Sequence, residues 1–310
     1  MKIVTNACEH INFLQAILRD FDVQCIEDAD EKFIEEAEVF VGMGWKDIER
    51  LLPRMKKLKM IQTLSAGVNH IKFEKLPPNI IVCSSAGANA AAVAELAVTH
   101  ILVALKKYVY RHEKMKRGEF PQMLESRLLH GKTVGIVGLG NVGKNVARML
   151  KCFSPRIIGV SRSGKSKVDI DFVGDMSYLD ELLSQSDIVV LALPLTKETE
   201  GLIDKKRLEK MKKNAVLVNI ARGKLIVEKD LYEHLKKNPE FTVALDVWWH
   251  YSDKFKQDYP FEKLPNVLMT PHCGGVYENF WEDLIRFAAE NIKLFFKGKP
   301  RNVVRREDYI

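Results

Sequence analysis

The chain has only five cysteines in 310 residues: Cys8, Cys25, Cys83, Cys152 and Cys273. Their number is odd and no two show C-x-x-C spacing, which argues against a zinc ribbon or a disulfide framework and leads us to expect reduced thiols in a cytoplasmic protein. Clean apolar runs of membrane-spanning length are also missing. The nearest, "AGANAAAVAELAVTHILVAL" at residues 86–105, carries Asn89, Glu95 and His100 and is rich in Ala. It reads as a helix buried in a soluble protein. The opening "MKIVTNACEH" holds no apolar signal core. Low-complexity segments and obvious internal repeats are absent as well. Charge of one sign is not concentrated: the net charge is +7, yet pairs such as Lys56-Lys57 and Lys212-Lys213 are scattered among acidic residues. That pattern speaks for a solvated surface that favours small anions, and against a nucleic-acid partner.

Hydrophobic residues make up 46% of the chain and charged residues 29%, as in a soluble globular protein, and the length exceeds one ordinary core. Short β-branched runs near residues 2–5, 23–26, 39–41, 60–63 and 80–83 alternate with amphipathic stretches. A long Ala-rich helix is expected to run to about Lys116. A second alternating series then begins: "TVGIVG", "RIIGVS", "DIVVLALP", "AVLVNIA", "TVALDVW" and "NVLMTP". Continuous apolar runs of this kind suit strands buried on both faces. The expected class is α/β: two Rossmann-like domains, each a parallel sheet flanked by helices.

"TVGIVGLGNVGKNVARML" holds G-x-G-x-x-G at Gly138, Gly140 and Gly143, after a strand and opening a helix. Gly138 allows the tight turn, Gly140 the close approach of a pyrophosphate and Gly143 close helix–strand packing. The helix N-terminus then faces the phosphates. The following strand ends in Ser161, Arg162 and Ser163, with no carboxylate before Asp169. An NAD site places Asp or Glu there, whereas an Arg pairs with a 2′-phosphate, so NADP is preferred and NAD remains possible.

"LVNIARGKLI" sets Arg222 just after a strand, where a planar guanidinium suits a carboxylate; a surface Arg in a turn is the plainer alternative. "NVLMTPHCGG" places His272 at another strand end, where it can donate a proton; alone, it would more often be structural. A nucleophilic pair with Cys273 is not expected, because neighbouring side chains at a strand end diverge.

Taken in order, "LLHGKTVGIVGLGNVGK", "SDIVVLALPLTKETEGLI", "MKKNAVLVNIARGKLI", "ALDVW" and "LPNVLMTPHCGG" resemble the D-isomer-specific 2-hydroxyacid dehydrogenases. Earlier, "LSAGVNHI" is similar to that family's substrate-carboxylate loop. The resemblance implies a substrate-binding, flavodoxin-like domain from residues 1–95 and 278–310, a nucleotide-binding domain from 96–277, an active site in the cleft between them, and a homodimer formed through the nucleotide domain. It implies substrate-carboxylate binding by Arg222 with the amides of Ala66 and Gly67, and acid–base work by His272. Cofactor contacts would come from Leu139, Asn141 and Val142 beside the three glycines, from Ser161, Arg162 and Ser163, and from Pro194, Thr199, Ile220, Ala221, Asp246 and Gly274. The substrate would be a small 2-keto or 2-hydroxy acid.

One position departs from the pattern. The family places a Glu five residues after the Asp of "ALDVW" to pair with the catalytic His, and here that residue is Tyr251, within "LDVWWHYSDKF". The stretch reads as active-site wall, with Trp249 at the substrate, or else as core. His250, Asp253 and Glu278 are candidate substitutes for the Glu. Without it, His272 is expected to titrate lower than in the usual relatives. Formate dehydrogenases place Gln in that slot and Ser two residues after the His, where this chain has Gly274, so that activity is not assigned. A cofactor-sensing protein that controls a partner is the alternative function.

Overall fold

The computed structural model describes residues 1–252 and 254–310. The chain forms two compact units, one of Met1–Asn89 with Tyr277–Ile310 and the other of Ala90–Val276. In chain order the first unit begins β1 (Lys2–Thr5), α1 (Ile11–Ile17), β2 (Asp22–Cys25), α2 (Glu31–Glu36), β3 (Val39–Gly42), α3 (Lys46–Leu51), β4 (Met60–Thr63) and β5 (Ile81–Cys83). The second unit opens with α4 (Ala90–Lys106), α5 (Tyr108–Lys116), β6 (Thr133–Val137), α6 (Asn141–Leu150), β7 (Arg156–Val160) and β8 (Phe172–Gly174). It continues with α7 (Leu179–Gln185), β9 (Ile188–Leu191), α8 (Lys205–Lys210), β10 (Val216–Asn219), α9 (Glu228–Lys237), β11 (Thr242–Leu245) and β12 (Val267–Met269). The last helix, α10 (Phe280–Phe296), returns to the first unit.

Both sheets are parallel throughout. The first has the order β2-β1-β3-β4-β5 and the second β12-β11-β10-β9-β6-β7-β8. Parallel strands need covering on both faces, and the side chains comply. Along β9, Val189 and Leu191 enter one apolar cluster and Ile188 and Val190 the other. In the first unit, Val39 and Val41 face the cluster that receives Ile285, Ala288, Ala289 and Ile292 of α10, while Phe40 faces the opposite one. In each sheet the strand order reverses beside the first strand, the switch point at which open α/β sheets bind ligands.

Three expectations are corrected. The Ala-rich helix does not run unbroken to Lys116: Lys107 takes a left-handed conformation (φ +51°) that separates α4 from α5. The division falls at 89/90 and 276/277, not at 95/96 and 277/278, because Ala94, Ala97 and Ile101 of α4 pack into the second unit's core. Finally, Cys8 and Cys25 form a disulfide, with Cα atoms 5.3 Å apart, and only Cys83, Cys152 and Cys273 are free. Thr5 pairs with Cys25 across β1 and β2, and the single 3-10 turn after β1 brings Cys8 back over the end of β2. Sequence spacing does not reveal a bridge made by strand register.

Candidate active site

The β6–α6 turn is shaped by its glycines. Gly138 sits at φ +100°, and a Cβ there would lie 2.6 Å from the Ala192 carbonyl oxygen. A Cβ on Gly143 would lie 2.0 Å from the Gly138 carbonyl oxygen, so the first turn of α6 rests directly on the loop. Gly140 is different: a Cβ there would meet nothing within 4 Å. The open face therefore lies over the N-terminus of α6, where the first N–H groups and the helix dipole suit a pyrophosphate. Asn141 is exposed and Val142 partly buried at this end, while Leu139 is buried against Gly159 of β7. These residues fit a dinucleotide.

At the end of β7, Arg162 and Ser163 are exposed. Ser161 was expected to donate to the cofactor, but its hydroxyl donates to the Lys165 carbonyl (2.8 Å) and accepts from the Lys165 N–H (3.1 Å). It builds the turn that presents Arg162. Thr199 does comparable work after β9: its hydroxyl donates to the Pro194 carbonyl (2.8 Å) and accepts the Thr196 N–H (2.8 Å).

Arg222 follows β10 on a turn stapled by Asn219, whose side chain donates to the Arg222 carbonyl (2.8 Å) and accepts from the Ala221 N–H (3.1 Å). Ile220 and Ala221 are buried beside it. The next residue, Gly223, lies directly on the backbone after β11: a Cβ there would fall 2.3 Å from the Trp248 carbonyl carbon. His272 follows β12 in a left-handed conformation (φ +58°), unusual for a residue with a side chain. Asp246, 2% exposed, holds this turn by accepting from the Thr270 hydroxyl (2.7 Å) and from the N–H groups of Cys273 (2.9 Å) and Gly274 (3.0 Å).

The segment between β11 and β12 divides into two roles. Trp248 is 6% exposed and its indole N–H donates to the Thr270 carbonyl (3.0 Å). Trp249, expected at the substrate, instead donates to the Ile226 carbonyl (2.8 Å) and stacks on Phe261. Both tryptophans are struts beneath the Arg222 and His272 turns. Tyr251 is the member of the segment beside His272, with the two rings 5.4 Å apart. Its hydroxyl accepts the Trp248 N–H (3.0 Å), and among the described residues no hydrogen bond joins it to the His272 ring.

The electrostatics follow from this crowding. Burial pushes the His272 imidazole below its usual pKa, Arg222 pushes the same way, and Asp246 opposes both. Partial burial raises the Tyr251 phenol, opposed by the Trp248 N–H and by Arg222, which keeps it neutral near pH 7.

In the other unit, Ala66 is exposed and Gly67 partly buried in the turn after β4. The Ser65 hydroxyl donates to the Gly67 carbonyl (2.8 Å) and so fixes that turn.

The family model for the D-isomer specific 2-hydroxyacid dehydrogenase, NAD binding domain, matches residues 98–274. The chain belongs to this family. It is similar to glyoxylate reductase of Pyrococcus horikoshii, 31% identical over 306 residues that cover 93% of this chain and 91% of the relative. It is 33% identical over 285 residues to D-3-phosphoglycerate dehydrogenase of Methanocaldococcus jannaschii, covering 90% of this chain but spanning about half (53%) of that relative. Among solved structures, a candidate formate dehydrogenase from Pyrobaculum aerophilum superposes with a TM-score of 0.87 at 32% identity, with both chains covered completely.

As an NAD(P)-dependent dehydrogenase, the chain must supply what its missing glutamate would provide. His250 pairs with Asp258, its Nε2 3.5 Å from that carboxylate. Glu278 belongs to the first unit, and Asp253 lies outside the described residues. The carboxylate that does act on His272 is Asp246, through space and through the backbone of its turn. Three elements of this arrangement escaped the sequence reading: Asn219, Gly223 and Thr270. Gly223 and Thr270 meet residues brought close only by the fold, although Gly223 beside Arg222 was a visible signal, whereas Asn219 acts within its own turn, two and three residues away.

Proposed function

We propose that the chain is an NADPH-preferring reductase of a small 2-keto acid of the glyoxylate or hydroxypyruvate kind, yielding the D-2-hydroxy acid where the product is chiral. One observation carries the reading: Arg222 and His272 follow β10 and β12, the two strands that flank β11 in one sheet. A bound nicotinamide supplies the hydride. Arg222 pairs with the substrate carboxylate through its fork and fixes the neighbouring carbonyl. His272, protonated, gives its proton to the carbonyl oxygen as that oxygen gains charge. Hydride and proton together convert C=O to CH–OH, so atoms and charge balance. The amides of Ala66 and Gly67 keep their proposed part in carboxylate binding.

Arg162, and the absence of an acidic residue between it and Asp169, support NADPH over NADH. A cytoplasmic homodimer completes the proposal. Tyr108, Tyr110, Met115, Phe120, Met123 and Leu128, each more than half exposed, crowd the segment from α5 onward, an apolar surface suited to a second copy. No helix among the described residues is long and apolar enough to cross a membrane.

The test is loss of nicotinamide absorbance with NADPH and with NADH, against glyoxylate, hydroxypyruvate, pyruvate and branched keto acids, with formate and NADP⁺ or NAD⁺ run in the opposite direction. Faster NADPH oxidation with a small keto acid is expected. Tight NADPH binding without turnover on any acid would instead favour a cofactor-sensing role.

A further inference from the structure

His100 lies on α4, 4% exposed, on the helix face that packs inward, with its Nε2 3.2 Å from the Thr270 hydroxyl oxygen. Thr270 has one hydroxyl proton, and the Asp246 carboxylate 2.7 Å away can only accept it. The Thr270 oxygen must then accept from His100, which places a proton on Nε2, while burial lowers the His100 pKa and favours the neutral ring. One turn earlier on α4, Leu96 meets the same loop: a Cβ on Gly274 would lie 2.9 Å from its Cδ2. So α4 supports the turn of His272 at two points, one apolar and one polar.

We infer that His100 is a positioning residue for this turn: it directs the Thr270 hydroxyl onto Asp246, and Asp246 holds His272 left-handed through the N–H groups of Cys273 and Gly274. This rests on the reading of His272 as the acid. Left-handed backbone at a residue with a Cβ persists only where its surroundings enforce it. Asp246 is the carboxylate that holds the two N–H groups of this turn, and His100 sets the proton arrangement of its Thr270 hydrogen bond. With Leu at position 100, the Thr270 oxygen loses its donor inside the protein, and the hydroxyl is free to turn toward the Leu245 carbonyl, 3.5 Å away.

The test has an arm that does not depend on turnover. In protein labelled with ¹⁵N-histidine, His100 should appear as the neutral Nε2–H tautomer. In His100→Leu, amide hydrogen exchange at Cys273 and Gly274 should quicken at least ten-fold, while His100→Gln, which keeps a donor at the Nε2 position, should retain protection. In the kinetic arm, kcat for keto-acid reduction should fall roughly ten-fold or more in His100→Leu, with KM little changed and partial recovery in His100→Gln. An Nδ1–H tautomer, or unaltered exchange in a folded His100→Leu variant, would overturn the inference. Loss of protection in a protein with no activity on any keto acid would uphold the turn's support and refute the reductase reading alone.

Discussion

The rings of Tyr251 and His272 lie 5.4 Å apart, inclined at 45°, and the Tyr251 hydroxyl accepts from the backbone instead of holding the imidazole. His272 is thus flanked by an aromatic face, with Arg222 lowering its proton affinity further. In the proposed reduction the protonated ring is the acid, so kcat/KM for a keto acid should begin to fall below the ordinary histidine pKa of about 6.5 as pH rises. Tyr251→Glu should move that limb upward by about 1–3 pH units, because an adjacent carboxylate favours the imidazolium. A pH–rate profile for the two proteins decides it, and coincident limbs would rule out this account of the site.

Arg222 has two effects that can be separated. Arg222→Met should cut kcat/KM for keto acids by about a hundred-fold or more, the cost of a lost bidentate charge pair, while NADPH binding measured by fluorescence stays within a few-fold. The same change removes a positive neighbour, so His272 should titrate higher in NMR. A variant that loses cofactor binding in parallel with turnover would place Arg222 in the nucleotide site instead.

Gly223 lies against the backbone of Trp248 and Trp249, where a methyl group has no room. Gly223→Ala must push the Arg222 turn away from the strand-end segment that carries Tyr251. We expect a loss of about 1–3 kcal/mol in urea unfolding, as for overpacked sites, together with a drop in kcat. Full stability and full activity would show that the contact is not needed.

Much of this was legible in the sequence because it is local. The glycine turn, Arg222 and His272 each announce themselves by a strand of apolar residues ending in a short, specific string. β8 was not read, because three residues with no fully buried side chain leave no periodic signal. The break at Lys107 was hidden, since Lys is a good helix former and its left-handed backbone leaves no mark in composition. The roles of Trp248 and Trp249 could not be chosen from sequence: an aromatic cluster after a strand suits a wall as well as a core, and only the partners of the two indole N–H groups decide.

The cysteines give a chemical check of the first unit. Unfolded without reductant, the chain should show three titratable thiols, those of Cys83, Cys152 and Cys273, and five after reduction. In the native state Cys152 should react first: it is exposed, whereas burial pushes the Cys83 thiol to about 11 and also raises Cys273. Five thiols in the unreduced, unfolded chain would mean that Cys8 and Cys25 are not bridged.

Stability should depend on pH through imidazoles held below their usual pKa. Burial lowers the pKa of His100, His234 and His272, and His234 on α9 packs against Phe241 with its Nε2 unpartnered. With the folded pKa below the unfolded value of about 6.5, the unfolded chain binds more protons in the window between them, so stability rises with pH there. Acidification from pH 7.5 toward 5 should therefore lower Tm, and the loss should begin near pH 6.5. His234→Phe removes one of the three groups without touching the site, so its Tm should fall less steeply over the same range. Thermal melts at half-unit pH steps measure both slopes, and parallel slopes for the two proteins would show that His234 is not one of the groups driving the loss.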